Sequence, residues 1–234
     1  MSHFSVAVLH REDQDIDDLL APYDENIEVE KYRAYTRQEA IDYVREAYKD
    51  RFTGKTDDQC WEYLSMFYSK DMISDDGSLW STYNPKSKWD WWVIGGRFSD
   101  VLEGRFKGSY ADWVDYGCSA RIKDIDFSLD EEEYEYGLKK WDKIIDGSAD
   151  TIFKTEYYEE RYKDREEYAK RLASFSTHAV VTPDGEWHEI GECIWFGMST
   201  ETPDEARDWD LTYKERFIDT ADPDLIMTIV DCHI

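Results

Sequence analysis

Residues 225–230 read LIMTIV, a run that is almost continuously apolar and rich in β-branched side chains. A strand with one face in water alternates apolar with polar residues, whereas a continuous apolar run is typical of a strand buried on both faces. Residues 4–9, FSVAVL, predict another strand near the start of the sequence. We therefore expect both strands in one sheet, with the C-terminal strand beside the N-terminal one.

Helices are predicted between these two strands. TRQE at 36–39 is a capping box followed by apolar residues at helical spacing, which predicts a helix over about 37–51, and TDDQ at 56–59 repeats the signal. Further helices are predicted after Ser128, over about 155–174, and over 203–220. Residues 27–35 are predicted to be extended, and PDG at 183–185 predicts the turn of a hairpin.

These elements predict an α+β fold, a mainly antiparallel sheet with helices packed on it. No Pro-, Gly- or Ser-rich linker interrupts the sequence, so we expect a single domain over residues 1–234. The four cysteines are scattered without a CxxC pair, which indicates reduced structural thiols rather than a disulfide framework or a zinc ribbon. We predict no cofactor.

The charge excludes one class of function. The chain has 234 residues, with 54 acidic against 28 basic side chains and a net charge of −26. Nucleic acids and anionic lipids are held by Lys and Arg, so we expect neither direct nucleic-acid binding nor membrane binding. With 10 Trp and 17 Tyr the chain nonetheless has the composition of a folded protein. Since no leader and no long apolar run are visible, we expect a cytoplasmic protein.

The acidic residues are distributed unevenly. Residues 51–100 carry eight acidic and six basic side chains, a net charge of −2, and they contain five of the ten tryptophans. An acidic run at 12–18 resembles the start of a calcium loop, but Asp18 stands where such a loop needs glycine and Asp24 where it needs glutamate. We therefore predict no metal site there, and the search for function moves to the nearly neutral segment.

Three stretches carry a resemblance to a known family. They are TYNPKSKWDWWVIGGRFSD (82–100), AVVTPDGEWHEIGE (179–192) and MTIVDCHI (227–234). They resemble the WDWYxxGGRW, VTPDGxWHE and VDCHI motifs of a family of bacteriophage and bacterial proteins of uncharacterised activity. Trp92 and Phe98 stand where Tyr and Trp are common in that family. The resemblance implies a phage-linked setting, in the host cytoplasm, where small acidic accessory proteins counter host defences.

The first candidate site is the segment that contains Asp90, Trp91, Trp92, Gly95, Gly96 and Arg97. Strand alternation places Trp89 and Trp91 on one face and Asp90 and Trp92 on the other. The two glycines can expose N–H groups as an anion-binding nest, Arg97 suits a phosphate, and an indole can stack on a base. This predicts a pocket for a small nucleotide-like anion, with five basic residues offsetting the field: Lys86, Lys88, Arg97, Arg105 and Lys107. A core role for the tryptophans, with Arg97 paired to an acid, stays open.

The second candidate site is formed by His188, Asp231 and His233. Asp231 and His233 are two positions apart on a predicted strand, so their side chains emerge on one face about 7 Å apart, which suits proton transfer in a hydrolase. Cys232 points to the opposite face, which argues against a Cys–His nucleophile. A satisfied polar strand end is the alternative interpretation.

Three functions therefore remain open. The first is a protein that binds a small nucleotide-like ligand to counter host defence signalling. The second is an acidic nucleic-acid mimic that inhibits a basic DNA- or RNA-binding host protein. The third is a hydrolase that uses the three candidate residues His188, Asp231 and His233.

Overall fold

The computed structural model describes residues 3–108, 113–115, 117–191, 193–194 and 198–234. Its strands are β1 (His3–His10), β2 (Glu28–Tyr35), β3 (Leu79–Tyr83), β4 (Trp91–Ile94), β5 (Ser119–Arg121), β6 (Ala179–Val181), β7 (Trp187–Glu189), β8 (Cys193–Ile194), β9 (Met198–Ser199) and β10 (Ile226–His233). Its α-helices are α1 (Ile16–Leu20), α2 (Arg37–Ala47), α3 (Lys49–Phe52), α4 (Asp57–Ser65), α5 (Glu131–Ile145), α6 (Thr155–Arg161), α7 (Arg165–Ala173) and α8 (Pro203–Tyr213), and a π-helix, Lys214–Ile218, continues α8. The predicted α+β class is confirmed.

The chain divides into two compact units. Unit 1 consists of Met1–Asp24 and Lys88–Ile234, and unit 2 consists of Glu25–Ser87. The single domain predicted over residues 1–234 stays a prediction, and the two units are described one at a time. Within the described residues, no helix combines the length and the apolar character needed to cross a membrane.

The sheet of unit 1 has the strand order β4-β10-β1-β6-β7, and β5 pairs with the other half of β10. β1 and β10 are antiparallel, with a register that runs from His3 opposite His233 to His10 opposite Ile226. The β1–β6 pair is parallel, and the other pairs of this sheet are antiparallel. All eight residues of β10 are buried. The prediction that the N-terminal and C-terminal strands lie side by side in one sheet is therefore confirmed.

Each face of this sheet has its own core. Residues of odd number on β1 and β10, such as Ala7 and Ile229, pack in one core with the buried aromatic side of α8. Residues of even number, such as Val8 and Val230, pack in the other core with α1. Because side chains alternate along a strand, His3, Asp231 and His233 belong to the α8 face.

Local chemistry corrects two details of the predicted helices and gives part of the acidic run a structural role. Asp130, not Ser128, caps α5, because its carboxylate accepts the N–H groups of Glu132 and Glu133 at 3.0 Å each. The helix predicted over 155–174 is broken into α6 and α7, since Asp164 caps a new helix there. In the acidic run, Asp15 caps α1, so part of that charge has a structural role.

Unit 2 contains the β2–β3 pair and three helices. Both predicted capping boxes are confirmed: Thr36 with Glu39 begins α2, and Thr56 with Gln59 begins α4. The two helices pack their apolar sides together with Leu79 of β3 in one buried cluster. A short sequence thus builds a core of its own around two well-capped helices.

A buried row of polar side chains crosses unit 1 from β1 to β5. His10 Nδ1 lies 3.0 Å from the carbonyl oxygen of Arg11, which can only accept, so Nδ1 is the protonated nitrogen. Nε2 therefore accepts from the Thr228 hydroxyl at 2.9 Å, and Thr228 Oγ1 lies 2.9 Å from Ser119 Oγ. Burial disfavours the imidazolium and lowers the pKa of His10 below its ordinary value of 6.5.

This row predicts a pH-dependent contribution to stability. The unfolded chain takes up a proton at His10 near pH 6.5, while the folded chain resists it, so the contribution is complete above that pH. It is lost as the pH falls from there through the lower folded pKa. We expect wild type to be more stable than His10→Gln at pH 7.5, by a margin that narrows at pH 5.5. Urea unfolding of both proteins measures the difference in their free energies of unfolding at each pH. Titration of the carboxylates affects both proteins equally and so drops out of this difference. An equal difference at pH 7.5 and pH 5.5 contradicts a role for His10 protonation.

Candidate functional site

Three aromatic side chains meet where β1, β10 and β4 run side by side. His3 on β1 lies directly opposite His233 on β10, and Trp91 on β4 lies opposite His233 from the other side. Residues directly opposite each other on neighbouring strands point to the same face of a sheet, so these three side chains share one face. With Asp90 and Asp231 they form a cluster that we call the paired-imidazole site.

The first imidazole–carboxylate pair joins His3 to Asp231. His3 Nδ1 lies 2.8 Å from Asp231 Oδ1, and the Asp231 side chain is only 2% exposed. The second oxygen, Oδ2, accepts the backbone N–H of Arg97 at 3.0 Å. A buried carboxylate needs such partners to offset the loss of water. Asp231 is thereby fixed from both sides, and it fixes the His3 ring in turn.

The second pair joins His233 to Asp90. His233 Nδ1 lies 2.6 Å from Asp90 Oδ1, and the backbone N–H of Asp90 donates to the His233 carbonyl at 2.9 Å. The His233 side chain is 7% exposed. Its Nε2 is buried and has no hydrogen-bond partner among the described residues. Because a buried polar nitrogen without a partner is costly, this atom marks the place where a ligand group would be stabilised.

The rings of the site are packed edge to face and in a stack. The His3 and His233 centroids are 5.1 Å apart, with the ring planes at 73°. The Trp91 indole stacks on His233 at 5.2 Å and 15°, and it meets His3 edge-on at 5.3 Å. Trp91 is 43% exposed, so the indole covers the imidazoles on the solvent side.

The Gly-Gly-Arg turn holds Asp231 rather than an open anion nest. Gly95 and Gly96 have φ values of +68° and +53°, a conformation that glycine adopts without strain. Gly95 N–H donates to the Ile229 carbonyl at 2.9 Å, while Arg97 N–H donates to Asp231. A Cβ atom on Gly96 would lie 2.5 Å from Asp231 Cβ and Oδ2. Glycine is therefore required at Gly96, because the carboxylate of the protein itself occupies the turn.

The predicted alternation holds for Trp91 and Trp92, which lie on opposite faces, but it is wrong for Trp89 and Asp90. Asp90 and Trp91 both contact His233, whereas Trp89 and Trp92 both pack in the core of the opposite face. The reason is that β4 begins at Trp91, so the two residues before it do not follow the strand period. Asp90 and Trp91 thus belong to the site, and Trp92 does not.

The structure separates His188 from the other two candidate catalytic residues. His188 lies on β7, three strands from β10, which at strand spacing is about 14 Å. Its ring packs against Phe217 of the π-helix, with centroids 5.3 Å apart. The predicted set of His188, Asp231 and His233 therefore does not converge, and His3 stands where a second imidazole is needed.

His3 was not predicted from the sequence, although a signal for it exists. Once the terminal strands are paired antiparallel, the residues near the two ends of the sequence become neighbours. The register places His3 opposite His233, two positions from Asp231, and both of these are candidates from the sequence. The two predicted strands therefore suffice to bring the ends of the sequence together, but the apolar pattern does not predict which residues of the two strands lie opposite each other.

Three of the five basic residues expected to form a positive cluster have other partners. Lys88 Nζ lies 2.5 Å from Glu189, Lys107 lies 3.4 Å from Asp126, and Arg105 donates to backbone carbonyls of residues 126, 128 and 173. Lys86 belongs to unit 2. The Arg97 side chain is exposed, and it makes no hydrogen bond or ion pair within the described chain. Arg97 thus contacts the site through its backbone N–H, and its exposed guanidinium is available to an anion.

Cys232 is not placed to act as a nucleophile. It faces the core opposite the site, and burial, reinforced by the charge of Asp231, raises the pKa of its thiol. A thiol in such surroundings stays protonated. Within the described ranges, no group of three or more His, Cys, Asp or Glu side chains is arranged to hold a metal ion.

The comparisons with known proteins do not extend the assignment. No family model, no curated protein and no solved structure matches this chain. The functional argument therefore rests on the geometry of the site.

Proposed function

We propose that the paired-imidazole site binds a small nucleotide-like anion and hydrolyses a phosphate ester bond in it by acid–base catalysis. The observation that carries the proposal is the pair of imidazoles, 5.1 Å apart, each held at Nδ1 by a carboxylate. A carboxylate at Nδ1 fixes the ring orientation and stabilises the imidazolium form. Both rings are then left with Nε2 for proton transfer.

The chemistry needs one neutral and one protonated imidazole. The neutral ring takes a proton from water as the water oxygen forms a bond to phosphorus. The protonated ring gives its proton to the leaving oxygen as the phosphorus–oxygen bond breaks. After one turnover the two rings have exchanged roles, and a proton returned through solvent restores them. Asp90 and Asp231 orient the rings and balance their charge throughout.

Two side chains favour a nucleotide-like ligand. The Trp91 indole is exposed enough to stack on a base, and Arg97 offers a planar fork to a phosphate. A ligand group that reaches His233 Nε2 takes the place of the Trp91 indole on the His233 ring. The net charge of −26 opposes an anion at long range, so recognition depends on these short-range contacts.

The biological setting is part of the same proposal. We infer an accessory protein of phage type that acts in the host cytoplasm against a nucleotide signal of host defence. The resemblance of the three sequence motifs supports this setting, and the acid–base site supports the chemistry.

Arg97→Ala tests the ligand class. We expect the variant to bind nucleotides about tenfold more weakly than wild type, because a charge-assisted contact to phosphate is lost. Calorimetric titration with a panel of cyclic and linear nucleotides measures the affinity. Arg11→Ala is the matched control, since it removes an exposed guanidinium whose weak ion pair with Asp13 spans 3.6 Å. If wild type binds none of the panel, or if both variants lose affinity equally, a phosphate contact at Arg97 is excluded.

A further inference from the structure

Unit 2 contains an aromatic cleft with a volume of about 950 Å³. Seven aromatic rings line it, on β2, β3, α2 and the segment that follows α4. Such a volume lies at the upper end of the range for ligand sites. The described residues that line the cleft all fall within residues 25–87, so none of them belongs to the paired-imidazole site of unit 1.

The charged side chains that line this cleft are acidic. Among the described residues that line it, the charged side chains are Glu25 and Glu28, and none is Lys, Arg or His. Lys31 approaches from outside: its Nζ lies 5.9 Å from the centre of the Trp80 ring and donates to the Asp71 carbonyl at 2.7 Å. Aromatic faces beside carboxylates attract cations, and the Lys31 ammonium lies within the distance of such a contact from the Trp80 ring.

The phenols of the cleft contribute ring faces rather than negative charge. Burial raises the pKa of Tyr35 and Tyr68, and the neighbouring phenols add to the effect. Both side chains therefore stay neutral at physiological pH. A cation in the cleft would meet the faces of these rings and the two glutamates at its edge.

The rim of the cleft consists of aromatic and apolar side chains that are exposed to solvent. Phe67 is 69% exposed, Tyr83 51%, Ile27 42% and Tyr43 41%. Exposed aromatic and apolar side chains gathered around one concavity are typical of protein recognition surfaces, where tyrosine and tryptophan supply most of the binding energy. The composition of the rim favours a polypeptide over a small amine.

We infer that this cleft binds a basic peptide segment of a partner protein, one in which Lys or Arg alternates with apolar residues. The apolar side chains contact the rim, and the ammonium or guanidinium groups lie between the ring faces and Glu25 and Glu28. The inference does not depend on the proposed function, because the two sites share no residue.

The test uses the full chain and a synthetic peptide, acetyl-Gly-Lys-Leu-Lys-Val-Lys-Leu-Gly-amide. Calorimetric titration at 0.15 M salt compares this peptide with the same peptide acetylated at every lysine. We expect acetylation to weaken binding at least about tenfold, because the charge is lost while the apolar body is kept. Glu25→Gln with Glu28→Gln is expected to weaken binding by a similar factor, and Tyr83→Leu by several-fold.

The matched control is Glu30→Gln with Glu46→Gln. It removes the same charge from exposed positions of β2 and α2 that do not line the cleft. We expect less than about a twofold change, since only the long-range field is altered. The inference is overturned if the lysine peptide does not bind, if the acetylated peptide binds equally well, or if both double variants lose the same affinity. Competition by spermidine as effective as that of unlabelled peptide would overturn the assignment to a peptide.

Discussion

His3→Asn and His233→Asn are each expected to lower phosphodiester hydrolysis by about 10²- to 10⁴-fold, the usual contribution of a positioned acid or base. Asparagine places an amide N–H near the position of Nδ1, so the bond to Asp231 or Asp90 can persist while Nε2 is removed. The loss then reports on proton transfer rather than on packing. Turnover of cyclic and linear nucleotides, followed by chromatography at saturating substrate, measures it.

His188→Asn is the matched control for this experiment. It makes the same substitution on the same sheet face but three strands from β10, and we expect it to retain wild-type turnover. Circular dichroism and thermal unfolding confirm that all three variants fold. A folded His3→Asn or His233→Asn protein with full activity would remove that residue from the mechanism, and an inactive His188→Asn protein would point to a different site.

Gly96→Ala is expected to lower the free energy of unfolding by about 3 kcal/mol. The backbone there has φ +53°, which costs an L residue about 1 kcal/mol or more, and the added methyl group would overlap with Asp231. The displaced carboxylate would also release His3 and the Arg97 N–H. We therefore expect turnover to fall together with stability, as measured by urea unfolding and by the nucleotide assay.

Gly147→Ala separates the backbone cost from the overlap. Gly147 has φ +74°, and a Cβ atom there would meet no atom of the described residues within 4 Å. We expect a loss of about 1 kcal/mol, with no change in turnover. If the two variants are equally destabilised, the contact between Gly96 and Asp231 does not constrain the site.

The sheet could be predicted because its physical signal is strong and local. LIMTIV and FSVAVL are short apolar runs rich in β-branched residues, which are typical of strands buried on both faces. Capping boxes fix where α2 and α4 begin. The break between α6 and α7 was harder to predict, since Asp164 caps a new helix inside a pattern that remains helical on both sides.

The site could be predicted only in part. The sequence singles out five residues that the structure places at the site: Asp90, Trp91, Arg97, Asp231 and His233. Two facts that decide the geometry of the site depend on strand register. One is that β4 begins at Trp91, which places Trp89 on the face of Trp92 and Asp90 on the face of Trp91. The other is that His3 lies opposite His233. Apolar periodicity indicates which face of a strand is buried, but not which residue of the partner strand it meets.

The pairing of β1 with β10 has a consequence for when the paired-imidazole site can form. A ribosome makes β10 long after β1, and until then β1 and β4 lack the strand that runs between them. Contacts this distant in sequence form slowly, because a long loop must close first. A chain interrupted before Ile226 would carry His3 without Asp231 or His233. Unfinished copies would therefore lack the paired-imidazole site, which is complete only when β1 and β10 are paired in the sheet.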